Sequence, residues 1–277
     1  MKLLFFLLLV ISLSGRAQTS DANAFLRYLM AKRFFDEAIL EANRLTKHQP
    51  ENDTTLFLLG LAHYEKKDLK WSLAAWDNIP PASPLFLQTQ FLKGFSQTFL
   101  GHPNEGWEIF QRIVPHDSLS AALRTLEMAG VELLRHDFPA FHQQADGFGR
   151  ISVLKKQEDN LMAYAGLLQK KRRKPWKAGV LQLALPGAGY YYAGYKGHAI
   201  YNLLLSTLLG LQAWEGYRKR GPESVRFIGY ASAFAVLHIA SVWGSTLAVK
   251  MRREEREKTI HDQILIDMHI PIRTVFR

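Results

Sequence analysis

A period of thirty-four residues runs through the first half of the chain and restricts the folds open to it. Ala38, Ser72, Gly106 and Ala140 stand 34 residues apart, and all four are small. Ala42, Trp76 and Phe110 form a second column at the same interval, Leu45, Ile79 and Ile113 a third, and Gly60 and Gly94 a fourth in the preceding segment. A fixed period of this length marks stacked supersecondary units. The small and bulky positions are four residues apart, so they share one helix face. There the small side chain lets two helices approach and the bulky one fills the adjoining groove. Pro50, Pro81, Pro84 and Pro115 fall between the units, where a missing amide hydrogen does least harm.

A helical-hairpin repeat with these columns resembles the tetratricopeptide repeat family. The second copy reads Leu59-Gly60-Leu61-Ala62-His63-Tyr64, with Ser72 at the small position and Trp76 at the aromatic one. The third carries Lys93-Gly94, Gly101, Gly106 and Phe110; the first keeps Ala38 and Pro50, with Leu26 where glycine is usual. A fourth copy, from about Ser120 to Phe148, has its turn at Arg135-His136-Asp137-Phe138 and carries a one-residue shift. The resemblance spans residues 19–149 and implies a solenoid whose concave face docks a peptide or partner protein. It implies binding rather than chemistry. Arg27, Asn23 and Lys93 are too few on the inner helices to specify a carboxyl-terminal ligand. Phe57, Tyr64 and Trp71 are either partner anchors or core aromatics. Residues 152–169 carry Val153, Leu154, Leu161, Tyr164, Leu167 and Leu168 at helical spacing, which predicts a helix capping the stack.

Beyond this point the apolar residues gather into long runs. Ala199–Tyr217 is nineteen residues with Glu215 as its one charge, and at about 1.5 Å per residue its length matches a bilayer's hydrocarbon core. Phe227–Val249 carries no charge apart from what His238 supplies when protonated, and is long enough for a second crossing. The polar turn Arg218-Lys219-Arg220-Gly221-Pro222-Glu223 separates the two, and Trp214, Tyr217, Tyr230 and Trp243 lie towards the ends, as aromatic belts do. His238 is either a proton relay or a histidine bonded to backbone or to Ser241. Gly229, Ala233, Ala240, Gly244 and Ala248 suit close packing within the hairpin or a homo-oligomer through this second span.

A short helix is expected over Ala178–Leu185, followed by a glycine-rich turn, Leu185–Gly197, that leads into the first span. Pro186, Gly187, Gly189, Tyr192 and Gly194, together with Gly197, make a Pro-Gly-x-Gly-x-x-Tyr-x-Gly arrangement. It is similar to the opening motif of small bacterial membrane domains related to the two-transmembrane-helix domain family. Those domains carry glutamine or another polar residue where Tyr190 stands. A phosphate-loop reading of the same glycines fails, because it needs a preceding strand and a downstream acid. Close backbone packing explains them instead.

The net charge of +10 sits largely beside the apolar runs, with six bases in Lys170–Lys177, four in Arg218–Arg226 and five in Lys250–Lys258. Such clusters anchor helix ends to lipid phosphates, so no nucleic-acid partner is expected. Lys170, Lys171, Arg172, Arg173, Lys174 and Trp176 are the residues assigned to the lipid headgroups.

Met1-Lys2, the apolar run Leu3–Leu13 and the small-residue exit Ser-Gly-Arg-Ala-Gln resemble a secretory signal peptide cleaved after Ala17. There is no cysteine, which excludes disulfides, thiolate metal sites and a lipoprotein anchor. No metal, cofactor or catalytic motif is found: His-Glu-x-x-His is missing, and His136 and His142 are six residues apart, on different helix faces.

The expectation is therefore an all-α chain: signal peptide 1–17, tetratricopeptide-like solenoid with its cap 19–169, basic linker 170–177, transmembrane helical hairpin 178–249 and charged tail 250–277. The tail reads as a strand or an amphipathic surface segment. The expected function is a non-catalytic, membrane-anchored scaffold in a bacterial inner membrane, with periplasmic repeats holding an unknown protein or peptide. The alternative is an accessory subunit of a transport, channel or protein-insertion complex. The signal peptide puts the repeats outside the cytoplasm, whereas the positive-inside rule favours the opposite side for the six bases. The choice between two crossings and three is left open.

Overall fold

The computed structural model describes residues 23–170 and 173–276. The expected signal peptide and two of the headgroup residues, Lys171 and Arg172, lie outside them. Among the described residues all regular structure is helical. The first part holds α1 (residues 23–31), α2 (Phe35–His48), α3 (Asp53–Glu65), α4 (Leu69–Trp76), α5 (Phe86–Phe99), α6 (Pro103–Arg112), α7 (Ser118–Leu134), α8 (Phe138–Ala145) and α9 (Lys155–Gln169). The second holds α10 (Pro175–Ala184), α11 (Ala188–Ala193), α12 (Lys196–Arg220) and α13 (Val225–Val275). These divide into two compact units. One contains the described residues up to Ala165 together with those from Ile264 onward, and the other is Gly166–Gln263. Helices α9 and α13 run from one unit into the other.

In the first unit the turns repeat as strictly as the helices. Three residues join α1 to α2, α3 to α4, α5 to α6 and α7 to α8. The middle residue of each is left-handed: Arg33 (φ 63°), Lys67 (φ 66°), Gly101 (φ 87°) and His136 (φ 59°). In every turn the next amide reaches back five residues, with Phe34 N donating to Leu29 O, Asp68 to His63, His102 to Gln97 and Asp137 to Glu132, at 2.9–3.0 Å. The middle amide reaches back three, as from Lys67 N to Tyr64 O at 2.9 Å. Paired bonds of this kind satisfy the last carbonyls of a helix and stop it sharply. Asn52 and Asp137 then begin α3 and α8 by accepting from the amides of Thr55 and Ala140 at 3.0 and 3.1 Å.

The four turn residues are 34, 34 and 35 apart, so the fourth unit is one residue out of register. The small column is fully buried at Ala38 and Ser72 and buried at Gly106, each five residues after its turn residue. In α8 that place belongs to Phe141, 0% exposed, and Ala140 is only half-buried. The expected alignment of Ala140 with this column is corrected accordingly.

Each sequence neighbour from α2 to α8 packs on the next, and α5 also meets α7. Glycine decides two of the crossings. A Cβ on Gly94 would lie 2.6 Å from Cε1 of Phe110, and one on Gly60 would enter the ring of Trp76. Trp76 is itself fixed by its Nε1–H, which donates to Phe57 O at 3.2 Å. At Gly106 a Cβ would come within 2.8 Å of Gly94 O, so this position holds two backbones together.

The second unit has a small core in which Ala178, Ala193, Ala248 and Val249 are covered by Tyr190, Tyr192 and Tyr195. Many of its large apolar side chains face outward. Leu204 and Trp243 are 64% and 78% exposed, as are Ile200, Leu208 and Leu211 on α12 and Val236 and Ile239 on α13 to similar degrees. Gln182, Ser206, Ser241 and Ser245 are buried.

Among the described residues one helix, α13, is long and apolar enough to cross a membrane. Helix α12 has 25 residues, but Asn202, Gln212 and Glu215 dilute its apolar run. The boundary expected at Val249 is not the end of a helix, because α13 continues to Val275. The tail is therefore helical, not a strand. Its alternating charges at Arg253 and Glu257 form a same-helix pair at 3.2 Å, a spacing that supports continuation of the helix.

Candidate functional site

The first unit binds a helix, and the helix is its own. Ile264, Met268 and Ile272 recur every four residues at the end of α13 and are 0%, 0% and 1% exposed. The partners of this segment lie on the first helices of successive pairs and on α9. Met268 packs on Gly130 of α7, where an added Cβ would be 2.5 Å from its sulfur. His269 stacks on Phe95 of α5, with ring centroids 4.9 Å apart and planes 16° off parallel, and lies 5.7 Å from Tyr64 of α3. Phe276 meets Phe91 at 5.4 Å, and its carbonyl accepts from Gln88 Nε2 at 3.2 Å. Arg273 pairs with Glu65 at 2.8 Å. Asp267 accepts from Asn160 Nδ2 at 3.1 Å and from the Tyr164 hydroxyl at 2.8 Å. Burying three aliphatic side chains stabilises this seat by several kcal/mol, at about 1.5–3 each.

Around the seated segment several polar groups have no hydrogen-bond partner among the described residues: the Tyr64 hydroxyl, the Ser96 hydroxyl, His269 Nε2 and both carboxyl oxygens of Glu127. Glu127 lies on α7 and is 0% exposed, and burial raises its pKa well above the usual carboxyl range. Burial, assisted by Arg273, lowers that of His269. Burial raises that of Tyr64, with Glu127 adding to the rise.

Of the residues weighed as partner contacts, Tyr64 lies against the seated segment. Phe57 is core, while Trp71 is 67% exposed and stacks on His63 at 6.3 Å. Lys93 is committed to Asp77, and Asn23 accepts from the Thr55 hydroxyl at 3.1 Å.

In the second unit the glycine-rich turn is built around a residue not singled out in the sequence. Gln182 of α10 is 0% exposed. Its Oε1 accepts from the amides of Gly187 and Gly189 at 3.1 and 3.2 Å, and its Nε2 donates to Asn202 Oδ1 at 2.6 Å and Ser241 Oγ at 2.9 Å. One side chain thus joins the turn to α12 and α13. Gly187 (φ 91°) and Gly194 (φ 95°) bracket α11 in the left-handed region. A Cβ on Gly189 would lie 2.6 Å from Gln182 Cβ, while Gly197 has open space beside it. Pro186 lies in the turn and lines a groove with Leu185 and Tyr191. Tyr192 offers its hydroxyl to the Lys174 amide at 3.2 Å. Tyr190 covers Gly244, so part of the small-residue stripe on α13 is used within the chain. His238 Nε2 lies 3.3 Å from Leu183 O, and the Ser241 hydroxyl donates to the His238 carbonyl at 2.7 Å, not to its ring.

Of the headgroup residues, Lys170 and Arg173 line a cavity of about 500 Å³ with Arg252, Arg253 and Arg256. Lys174 starts α10, and Trp176 is 60% exposed beneath Lys177 Nζ, 5.8 Å from its ring. Among the described residues no group of three or more His, Asp or Glu side chains is placed to hold a metal. No family model matches the chain, and neither does any curated protein or solved structure.

Proposed function

We propose that this chain is a membrane-anchored scaffold whose tetratricopeptide-like repeats receive an amphipathic helix, with α12 and α13 forming the membrane hairpin in a bacterial inner membrane and the repeats on the periplasmic side. The observation that carries the reading is the seat of the tail, with Ile264, Met268 and Ile272 buried and Met268, His269 and Phe276 packed on α3, α5 and α7. A surface that accepts three apolar residues at four-residue spacing is a helix receptor, and the tail is its resident occupant. A partner with the same spacing takes the seat when the tail leaves it. The large apolar side chains exposed on the second unit support the anchor.

The test places a photo-crosslinking residue at Phe95 in the full chain in bacterial membranes. The expected product is intramolecular in the native chain and includes an adduct to a second protein when Met268→Asp loosens the tail. If the Met268→Asp chain gives no adduct while remaining folded, the scaffold reading falls. A reporter fused at Gly149 that signals from the cytoplasm would overturn the orientation.

A second reading, an accessory subunit of a transport or insertion complex, draws on the polar set Gln182, Asn202 and Ser241 inside the hairpin. It predicts that a Gln182→Leu chain loses its complex although the repeats are intact.

A further inference from the structure

Two neighbouring concavities in the second unit differ in chemistry and share a residue. The first is the cavity of about 500 Å³ whose rim carries Lys170, Arg173, Arg252, Arg253 and Arg256 against one carboxylate, Glu257. Glu257 is held by Arg253 at 3.2 Å, so the rim is strongly positive. Two of the cations are fixed in place. Arg173 donates to the Tyr192 carbonyl and stacks over that ring at 5.6 Å, and Arg252 stacks over Tyr195 at 5.5 Å. The floor is apolar and buried at Ala193, Val249 and Ile260. The second concavity is a groove of about 650 Å³ lined by Leu181, Leu185, Tyr191, Ile200, Leu203 and again Arg173. Its lining is almost wholly apolar, on a unit whose outer face already suits hydrocarbon.

We propose that these two spaces form one phospholipid site: the cavity takes a phosphate-bearing anionic headgroup, the groove takes an acyl chain, and Arg173 stands at the junction. Guanidinium groups bind phosphate oxygens through paired, charge-assisted hydrogen bonds, and basic pockets beside membrane helices take anionic headgroups. The cavity exceeds the volume of a lone phosphate and falls within the range of small-molecule sites. The adjoining apolar groove favours a lipid over a free phosphate, which has no use for it. Lys170, just after α9, and Arg256 of α13 reach the cavity as exposed side chains, so replacing them with glutamine removes charge without opening the buried core.

The inference rests on the membrane reading, and the experiment separates the two. The full chain is inserted into phosphatidylcholine nanodiscs containing a minority of dioleoylphosphatidylglycerol, and retained lipid is counted by native mass spectrometry after release. One phosphatidylglycerol is expected to stay with the native chain in preference to phosphatidylcholine. Lys170→Gln with Arg256→Gln should weaken its retention about tenfold or more, whereas Arg218→Gln with Lys219→Gln, which removes the same charge elsewhere, should leave it unchanged. Equal loss in both double variants, or no preference between headgroups, overturns the site. Inorganic phosphate or glycerol phosphate displacing the lipid at comparable concentration overturns the lipid assignment in favour of a free anion. Failure of the native chain to enter phosphatidylcholine nanodiscs sinks the membrane reading instead.

Discussion

Met268 occupies the space that a β-carbon on Gly130 would need, its sulfur 2.5 Å from that position. The last turns of α13 are thus gauged by a missing side chain on α7. Gly130→Leu should expel the tail, since overpacking of a filled site costs about 1–3 kcal/mol and here has no free volume to relax into. The expected result is rapid proteolysis after Lys258 with α1–α8 still helical by circular dichroism. A Gly130→Leu chain whose tail stays as resistant as the native one would contradict the packing.

The left-handed turns give a prediction of opposite sign. Arg33, Lys67 and His136 hold a conformation that costs a residue with a β-carbon about 1–2 kcal/mol relative to glycine, part of which glycine returns as entropy in the unfolded chain. Lys67→Gly and His136→Gly should each stabilise the first unit by about 0.5–1 kcal/mol, read as a higher midpoint in urea. Gly101→Ala should destabilise it. A loss of stability in the two glycine variants would refute the equivalence of the turns.

Glu127 makes stability fall as pH rises. Its folded pKa is raised by burial, so the folded state keeps a proton that the unfolded state loses above its ordinary carboxyl range. Stability from this group is complete below the unfolded pKa and declines as pH rises towards the folded one, by up to about 1.4 kcal/mol per pH unit. Glu127→Gln should therefore flatten the alkaline side of the profile. His269, lowered by burial, acts in the opposite sense: its contribution is present above its unfolded pKa and is lost as pH falls through the folded one. Urea midpoints of the Glu127→Gln chain that track the native ones at every pH would exclude this role.

Gln182→Leu removes an acceptor from the Gly187 and Gly189 amides and a donor from Asn202 and Ser241. Each buried group left unpaired costs about 1–3 kcal/mol. The variant should unfold the second unit at lower denaturant while Gln182→Glu, which keeps the acceptor oxygen, loses less at acidic pH. Gly187→Leu should fail in the same assay, because its φ of 91° and its approach to Ala199 O both exclude a side chain. Unchanged unfolding of the second unit in either variant would remove Gln182 and the turn from its assembly.

The periodicity in the sequence comes from local packing, and there it reads directly: Ser72 and Gly106 mark helix crossings because backbone approach depends on one residue. The fourth unit is harder to place: one extra residue between Gly101 and His136 moves the crossing position from Ala140 to Phe141, and Phe141 gives no sign of this from its own identity. The seat of the tail was harder. Ile264, Met268 and Ile272 show the right spacing, but Pro271 argues for a break, and nothing near them in the chain names Gly130 or Phe95 as partners. Gln182 was hidden for a similar reason. A lone glutamine in an apolar run gives no hint that four partners from three segments converge on it. Lys170 and Arg256 are visible as charges, and their meeting at one cavity depends on two segments far apart in sequence.

The nesting of one unit inside the other fixes an order of assembly. Ile264 to Phe276 complete the first unit, yet they are synthesised after all 98 residues of Gly166–Gln263. At ordinary translation rates that interval lasts about 5–20 s. Throughout it Phe91, Phe95 and Gly130 present an unfilled apolar surface to whatever escorts the nascent chain, so final closure of the first unit waits on completion of the second and reports that it has been made.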